Sequence, residues 1–237
     1  MATIVKISPL RIELEDQKIL RLLGYPPSVG ADLRAPAFGG SVPRANMDIR
    51  PYKERALALM EPKGIYAIRK VISKGEGEVG LEGGITFEGW NIAHALRAAE
   101  EAAIFVVTLG DEISKEIRSL FEERRFAEAV TMDAVASVAT DALADQIHKR
   151  VIGRDARTKG LFPGLRYSPG YCFWPLEEQG KIFSILRPGD IGVCLNSHFF
   201  MIPEKSISAV IGLGEVEREI ALSACRDCSV IECPVRR

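Results

Sequence analysis

The chain has 237 residues, of which 47% are hydrophobic and 27% are charged, and its formal net charge is −1 at pH 7. This is the composition of a globular protein that is long enough to bury a sizeable core. The balanced charge favours neither nucleic acid nor an anionic membrane as a partner. No apolar run approaches the roughly 20 residues that span a bilayer, and the first residues lack the apolar segment of a secretory signal. We therefore expect a cytoplasmic protein.

The first third of the chain is predicted to contain two helices, a loop and a strand. Residues 16–24 have apolar side chains on one helical face and end at a glycine, which is a common helix stop. Residues 26–46 are rich in proline and glycine, which is typical of irregular structure. A second helix is predicted over 49–60 and a strand over 65–72.

The middle of the chain alternates between strand and helix signals. Residues 75–84 are rich in glycine and predict a turn, and Ile85 and Phe87 indicate a short strand before a helix over 90–101. The apolar run 103–109 predicts a central strand buried on both faces. An acidic start, which suits the positive end of the helix dipole, predicts a helix from Asp111.

Residues 126–152 give the clearest pattern, a long alanine-rich helix that we expect to stop at Gly153. Most of its circumference is apolar, so we expect it to lie inside the protein. One stripe is polar, with residues spaced so that they share one side of the helix. The stripe consists of Asp133, Ser137, Asp141, Asp145 and His148.

After residue 160, prolines interrupt the chain and short strands are predicted. They cover residues 181–186, 192–196, 199–202 and 206–212. This order of elements lacks a regular βαβ rhythm, so it predicts an α+β fold with a largely antiparallel, twisted sheet, flanking helices and one long central helix. We assign residues 1–215 to one domain and residues 216–237 to a cysteine-rich tail that is part of it or appended to it.

The segment 165–171 is the first candidate site. Its Pro-Gly sequence permits a tight bend whose backbone groups can contact a planar ligand. Arg166 offers a planar fork suited to a carboxylate, and Tyr171 offers a ring and a hydroxyl. From the residues alone, an ordinary turn with a surface arginine is the alternative.

The polar stripe on the long helix is the second candidate. Acids on a mostly buried helix are costly unless they are paired. If the stripe faces a cleft, Asp141 could meet the ammonium group of a ligand. A solvated helix face is the alternative.

Three of the five cysteines, Cys225, Cys228 and Cys233, lie near the end of the chain. Thiolates at this spacing are suited to zinc, to an iron–sulfur cluster or to a redox dithiol. A fourth ligand would have to come from elsewhere, for example from Cys172 or Cys194. The alternative is a pair of buried thiols and a frayed tail.

Several short motifs together resemble the activation domain of cobalamin-dependent methionine synthase. The sequence G-L-R-Y-S-P-G-Y at 164–171 is similar to the R-x-x-P-G-Y motif of that family. Residues 144–151 resemble the end of the helix before the motif, and residues 200–208 resemble the family's M-x-P-x-x-S-V-S segment. Residues 19–25 and 108–113 look like free-standing, single-domain members. The ordered combination carries the resemblance, over about residues 10–215.

The resemblance implies a C-shaped α+β domain that binds S-adenosylmethionine. Its task in the family is rescue, because cobalamin is occasionally oxidised to an inactive form. One electron from a flavodoxin- or ferredoxin-type donor and a methyl group from S-adenosylmethionine restore methylcobalamin. We therefore expect a component of a cobalamin-dependent methyltransferase that acts in trans, with the cobalamin on a partner protein. No protein nucleophile is needed, so no catalytic residue is expected.

The resemblance also suggests roles for individual residues. Arg166 would pair with the carboxylate of the ligand, and Asp141 falls where the family has a longer glutamate. The adenosine side would be lined by Tyr171 and by the backbone of Tyr167, Ser168, Pro169 and Gly170. Two family contacts have no clear match here: a tyrosine after the segment that ends at Ser208, and an acid from the N-terminal arm.

The cysteine triad is absent from the methionine synthase domain itself, so its occupant is an open question. We expect an iron–sulfur cluster, zinc or a thiol pair there. Two other functions therefore remain open. One is a non-catalytic sensor of S-adenosylmethionine or a chaperone for the corrinoid protein. The other is an iron–sulfur or thiol redox activator of a different corrinoid methyltransferase.

Overall fold

The computed structural model describes residues 4–8, 12–24 and 48–216, without the side chains of residues 150 and 151. The predicted loop over 26–46 and the cysteine triad therefore lie outside the described residues. Within this part of the chain, no helix combines the length and the apolar character needed to cross a bilayer. The strands are β1 (Ile4–Ile7), β2 (Lys63–Lys74), β3 (Glu78–Leu81), β4 (Ile85–Glu88), β5 (Glu101–Thr108), β6 (Phe162–Tyr167), β7 (Cys194–Leu195), β8 (Met201–Ile202) and β9 (Ser206–Gly214).

The helices are α1 (Asp16–Leu22), α2 (Arg50–Leu59), α3 (Trp90–Ala95), α4 (Glu112–Glu122), α5 (Phe126–Gln146), α6 (Gly153–Thr158) and α7 (Gln179–Leu186). Helices α1 and α2 precede strand β2 in the chain, and α3 to α7 lie between β2 and β9. Helix α5 is followed directly by a π-helical turn, Ile147–Ile152, and short 3₁₀ turns flank the last helix.

The main sheet has seven strands in the order β4-β3-β2-β5-β9-β6, with β1 paired to β2 as well. Every described strand pair is antiparallel. A small separate sheet pairs β7 with β8. The predicted α+β class with an antiparallel sheet is confirmed.

Strand β5 explains why the fold has two apolar layers. Its side chains alternate between the two faces of the sheet. Ala103, Phe105 and Val107 belong to a core formed with α5 and its neighbours. The intervening Ile104 and Val106 belong to a second core, which includes residues of α3 and α7. All five side chains are buried, so the prediction of a strand covered on both faces is confirmed.

The helical run after residue 126 does not stop at Gly153, contrary to the prediction. The chain passes from α5 through the π-helical turn into α6, which begins at Gly153. A Cβ atom at this glycine would lie 3.4 Å from the carbonyl oxygen of His148 and 3.8 Å from Cγ of Pro163. Both distances are ordinary van der Waals contacts, so the position is packed between helix and strand but has room for a small side chain. Gly153 does not act as a stop.

Four other elements differ from the sequence prediction. Residues 179–186 form helix α7 and not a strand, because Ile182, Ile185 and Leu186 are buried with helical spacing. The segment 75–84 contains strand β3, in which Val79 and Leu81 are buried.

Helix α3 ends earlier than the predicted residue 101. The backbone N–H of Glu100 already donates to the Leu213 carbonyl, 2.8 Å away, so this residue is drawn into the sheet. The sequence does not predict strand β1, because apolar and polar side chains alternate only weakly over its four residues. In the structure it pairs with β2.

We expect the Phe105→Ala variant to lose about 3–5 kcal/mol of unfolding free energy, because a large side chain is removed from the core and leaves a cavity. Phe105 is fully buried. Phe200→Ala is the matched control, since that ring is 60% exposed, and surface substitutions usually change stability by about 0.5 kcal/mol or less. Urea unfolding of both variants measures the difference. Equal losses would contradict the assignment of β5 to the centre of the core.

Candidate functional site

Strand register places Arg166 against the long helix. In the β6–β9 pair, Arg166 lies opposite Ile211 and Tyr167 lies opposite Val210. Ile211 belongs to the core on the α5 side, whereas Val210 belongs to the core on the other side. Arg166 therefore shares the face of the sheet that α5 covers.

The guanidinium of Arg166 is held by two carboxylates of α5. One terminal nitrogen donates to Oδ1 of Asp141 and the other donates to Oδ1 of Asp145, each over 3.0 Å. The arginine side chain is only 11% exposed, whereas Asp141 is 57% exposed and Asp145 is 35% exposed. A largely buried cation thus meets one acid that reaches solvent and one that is more enclosed.

The N-terminal part of the polar stripe, Asp133 and Ser137, contacts a second cation, Lys205. Nζ of Lys205, just before β9, lies 2.7 Å from Oδ1 of Asp133 and donates to Oγ of Ser137 over 3.0 Å. The stripe is therefore not a purely solvated helix face. It forms a row of ion pairs between α5 and the neighbouring part of the sheet, β6 and the start of β9.

His148 lies in the π-helical turn and borders the same cluster. Burial lowers the pKa of its imidazole below the usual value, and the positive charge of Arg166 lowers this pKa further. The hydrogen bond that the ring donates to the Gly164 carbonyl and the nearby Asp145 carboxylate oppose this shift. His148 is consequently neutral beside Arg166 at pH 7.

The lowered pKa of His148 predicts a loss of stability in acid. Between its ordinary pKa of about 6.5 and its lower folded value, the unfolded chain binds more protons than the folded one. Stability therefore falls as pH drops through this interval. We expect His148→Gln to flatten the dependence of the unfolding free energy on pH between about 7.5 and 5.5. Urea unfolding at both pH values checks this, and an unchanged pH slope in the variant would contradict it.

The bend after β6 is tight and strained. The N–H of Tyr171 donates to the Ser168 carbonyl over 3.2 Å, and the N–H of Gly170 donates to the Trp174 carbonyl over 2.8 Å. Gly170 has a φ of +85°, and both Cys172 and Phe173 have positive φ although they are not glycine. Strained backbone of this kind clusters at ligand sites and is maintained only by the surrounding structure.

Two anchors hold this bend from outside. The side-chain amide of Asn91, in α3, donates to the carbonyl of Cys172. Trp174 is 2% exposed and packs edge-on against Phe87, with ring centroids 5.3 Å apart. Tyr171 is left 57% exposed. The bend is thus fixed at both ends and presents one aromatic ring to solvent.

The structure brings together some of the sequence-predicted residues and separates others. Arg166 and Asp141 are in direct contact, and the bend Ser168–Tyr171 continues from the same strand. The Tyr167 side chain, however, packs on the opposite side of the sheet from Arg166, so only its backbone lies on the path of the bend.

Sequence reasoning gave no specific role to Asp145 or Lys205. The spacing of Asp141 and Asp145, one helical turn apart, is the signal that could have identified a shared cation.

The described residues contain no cluster of three or more His, Cys, Asp or Glu side chains that could hold a metal ion. Cys172 is a partly buried thiol and Cys194 an exposed one. The predicted ligands Cys225, Cys228 and Cys233 lie in the part of the chain that the structure does not describe, so their role stays a prediction.

The fold combines an antiparallel sheet with a long central helix, and an R-x-x-P-G-Y motif begins at the end of strand β6. The sequence model of one family, "Vitamin B12 dependent methionine synthase, activation domain", matches residues 91–227. This is more than half of the chain, so the protein belongs to the methionine synthase activation domain family.

A solved structure supports the same fold. It is titled "Crystal Structure of the MetH Reactivation Domain bound to AdoHcy" and superposes with a TM-score of 0.60 at 15% sequence identity. The match covers 90% of this chain and 78% of that chain. No protein of curated function matches the sequence.

Proposed function

We propose that this chain binds S-adenosylmethionine beside Arg166 and supports the reductive re-methylation of cobalamin on a separate methyltransferase, with methionine synthase as the first candidate. The observation that carries the proposal is the contact between Arg166 and Asp141. It joins the end of strand β6, which begins the R-x-x-P-G-Y motif, to the long helix. Membership of the family supports it. The related domain was crystallised with AdoHcy, the demethylated form of the same compound.

The charges of this cluster complement the amino-acid end of the ligand. That end carries an α-carboxylate and an α-ammonium group. Arg166 uses one hydrogen bond to each of Asp141 and Asp145, so other N–H groups of its fork remain for a carboxylate. The exposed carboxylate of Asp141 can accept a hydrogen bond from the ammonium group. Asp145 keeps the guanidinium in place while the ligand binds.

The bend would hold the other end of the ligand. The Gly170 N–H and the Ser168 carbonyl already hold the bend, and Pro169 has no N–H, so the carbonyls of Pro169 and Gly170 are the backbone groups that can contact the ribose and adenine edges. The exposed ring of Tyr171 can stack on the adenine. Asn91 and buried Trp174 hold the backbone in this strained shape, which reduces the entropy lost when a ligand is ordered.

In this reaction the chain binds and orients the methyl donor and supplies no reacting group. One electron from an external flavodoxin- or ferredoxin-type donor reduces the partner's cobalt, and the methyl group then moves from the sulfonium to the metal while sulfur keeps the electron pair of the broken bond. The products are methylcobalamin and S-adenosylhomocysteine. The contribution of this chain is orientation of the methyl donor. Arg166, Asp141 and the bend fix its two ends.

We expect Arg166→Ala to weaken S-adenosylmethionine binding by at least about 10-fold, since hydrogen bonds to charged groups contribute about 1.5–3 kcal/mol. Arg166→Lys keeps the charge but loses the planar fork, so an intermediate loss is expected. Lys205→Gln is the matched control, because it removes a cation that pairs with the same helix outside the proposed site. Isothermal titration calorimetry of all four proteins gives the affinities.

Two results would separate this function from a simpler one. Wild-type affinity in Arg166→Ala would remove the proposed pocket. Normal binding without any recovery of methylcobalamin, when an inactivated corrinoid methyltransferase and an electron donor are added, would instead select the non-catalytic sensor or chaperone.

For the terminal cysteines we propose an iron–sulfur cluster or a redox thiol pair that takes part in electron delivery. A zinc ion at the same cysteines would be structural, because Zn²⁺ has no redox chemistry. Protein purified without oxygen is expected to contain iron, or titratable thiols that oxidise in pairs. Cys228→Ser should lower the rate of re-methylation while leaving the affinity for S-adenosylmethionine unchanged. Elemental analysis and thiol titration measure the first point. Metal-free protein with full activity in Cys228→Ser would exclude the role.

A further inference from the structure

We infer that a second site, on the helical turn after α5, binds a compact phosphate-bearing anion. A cavity of about 480 Å³ opens there, lined by Lys149, Arg154, Arg157 and Thr158. It is separate from the proposed methyl-donor site, because neither Arg166 nor the bend lines it. The described residues that line it provide three cations and a hydroxyl and no aromatic ring, which favours recognition of charge over stacking.

The helical turns after α5 carry all four lining residues. Lys149 lies in the π-helical turn Ile147–Ile152, and Arg154, Arg157 and Thr158 lie in α6, which follows the turn directly. Arg157 and Thr158 follow Arg154 by about one turn of α6, so they share its side of the helix. One continuous helical segment therefore supplies the cations of the cavity.

The charges on this face are not neutralised by the described protein. Among residues 4–8, 12–24 and 48–216, no carboxylate lies within 4.0 Å of Arg154 or Arg157. Lys149 has only a loose contact, 3.7 Å from Oδ2 of Asp145. By contrast, the neighbouring Lys159 is paired with Glu101 at 2.7 Å.

The acid of helix α6 is turned away from the cavity. Asp155 accepts a hydrogen bond from the hydroxyl of Tyr66, in strand β2. This bond and burial together raise the pKa of the tyrosine. The carboxylate thereby ties α6 to the sheet and leaves the cationic residues of the helix without a partner on the same element.

A phosphate group fits this arrangement better than other anions of similar size. Arginine forks bind phosphate oxygens through paired hydrogen bonds, and lysine adds a point charge. The cavity lies within the range of small-molecule sites, about 300–1,000 Å³, and is larger than one phosphate needs. The ligand class is therefore a compact molecule with two or more phosphate charges.

The test is calorimetric titration of the full chain with pyrophosphate at constant ionic strength and without S-adenosylmethionine. We expect saturable 1:1 binding with a Kd below about 1 mM. Arg154→Gln combined with Arg157→Gln should weaken it by at least about 10-fold. The matched control combines Lys115→Gln with Arg118→Gln, which removes the same charge from helix α4, away from the cavity.

Three results would overturn the inference: no saturation by pyrophosphate, unchanged affinity in the cavity variant, or an equal loss in the control. The first would be the outcome if this face instead contacts an acidic protein surface. Unfolding temperatures of both double variants establish that they fold. Because no methyl donor is present, failure here would leave the proposed function unaffected.

Discussion

The packing of the sheet against helix α5 depends on ion pairs between two cations on the sheet side and the acids of the helix. Lys205 meets Asp133, and Arg166 meets Asp141 and Asp145. Both cations lie on the face of the sheet that α5 covers, and this is a matter of register. A shift of one residue between β6 and β9 would turn Arg166 to the opposite face. Strand pairing and site assembly are therefore the same event.

The ion pairs also explain how a charged site persists inside an apolar interface. A largely buried guanidinium without partners would be strongly unfavourable, and two carboxylates offset that cost. Because Asp141 is the more exposed of the two, the cluster has an enclosed side that fixes the arginine and an open side that faces solvent. A zwitterionic ligand requires both features: a fixed cation for its carboxylate and an accessible carboxylate for its ammonium group.

Much of this arrangement could be predicted because its signals are local. The run 103–109 predicts a strand buried on both faces, residues 126–152 predict the long helix, and the family resemblance places Arg166 and Asp141 beside the same ligand. The errors arose where tertiary packing decides the structure. Glycine is a common helix stop, yet the chain continues through Gly153 directly into α6. The sequence around Ile182 is too short to distinguish a strand from a helix until burial selects one face. Neither Lys205 nor the π-helical turn has a sequence signature that predicts its role.

The position of β9 has a consequence for biosynthesis. This strand lies between β5 and β6, and its Ser206 pairs with Thr108, which precedes it by 98 residues. While the nascent chain leaves the ribosome, the edge of the apolar strand β5 that later pairs with β9 has unpaired backbone groups. Exposed strand edges of this kind promote aggregation. Most of the domain is synthesised before the strand that completes its centre, so folding is dominated by long-range pairing and is expected to be slow. Early α5 packing, or a chaperone, would have to shield that edge in the meantime.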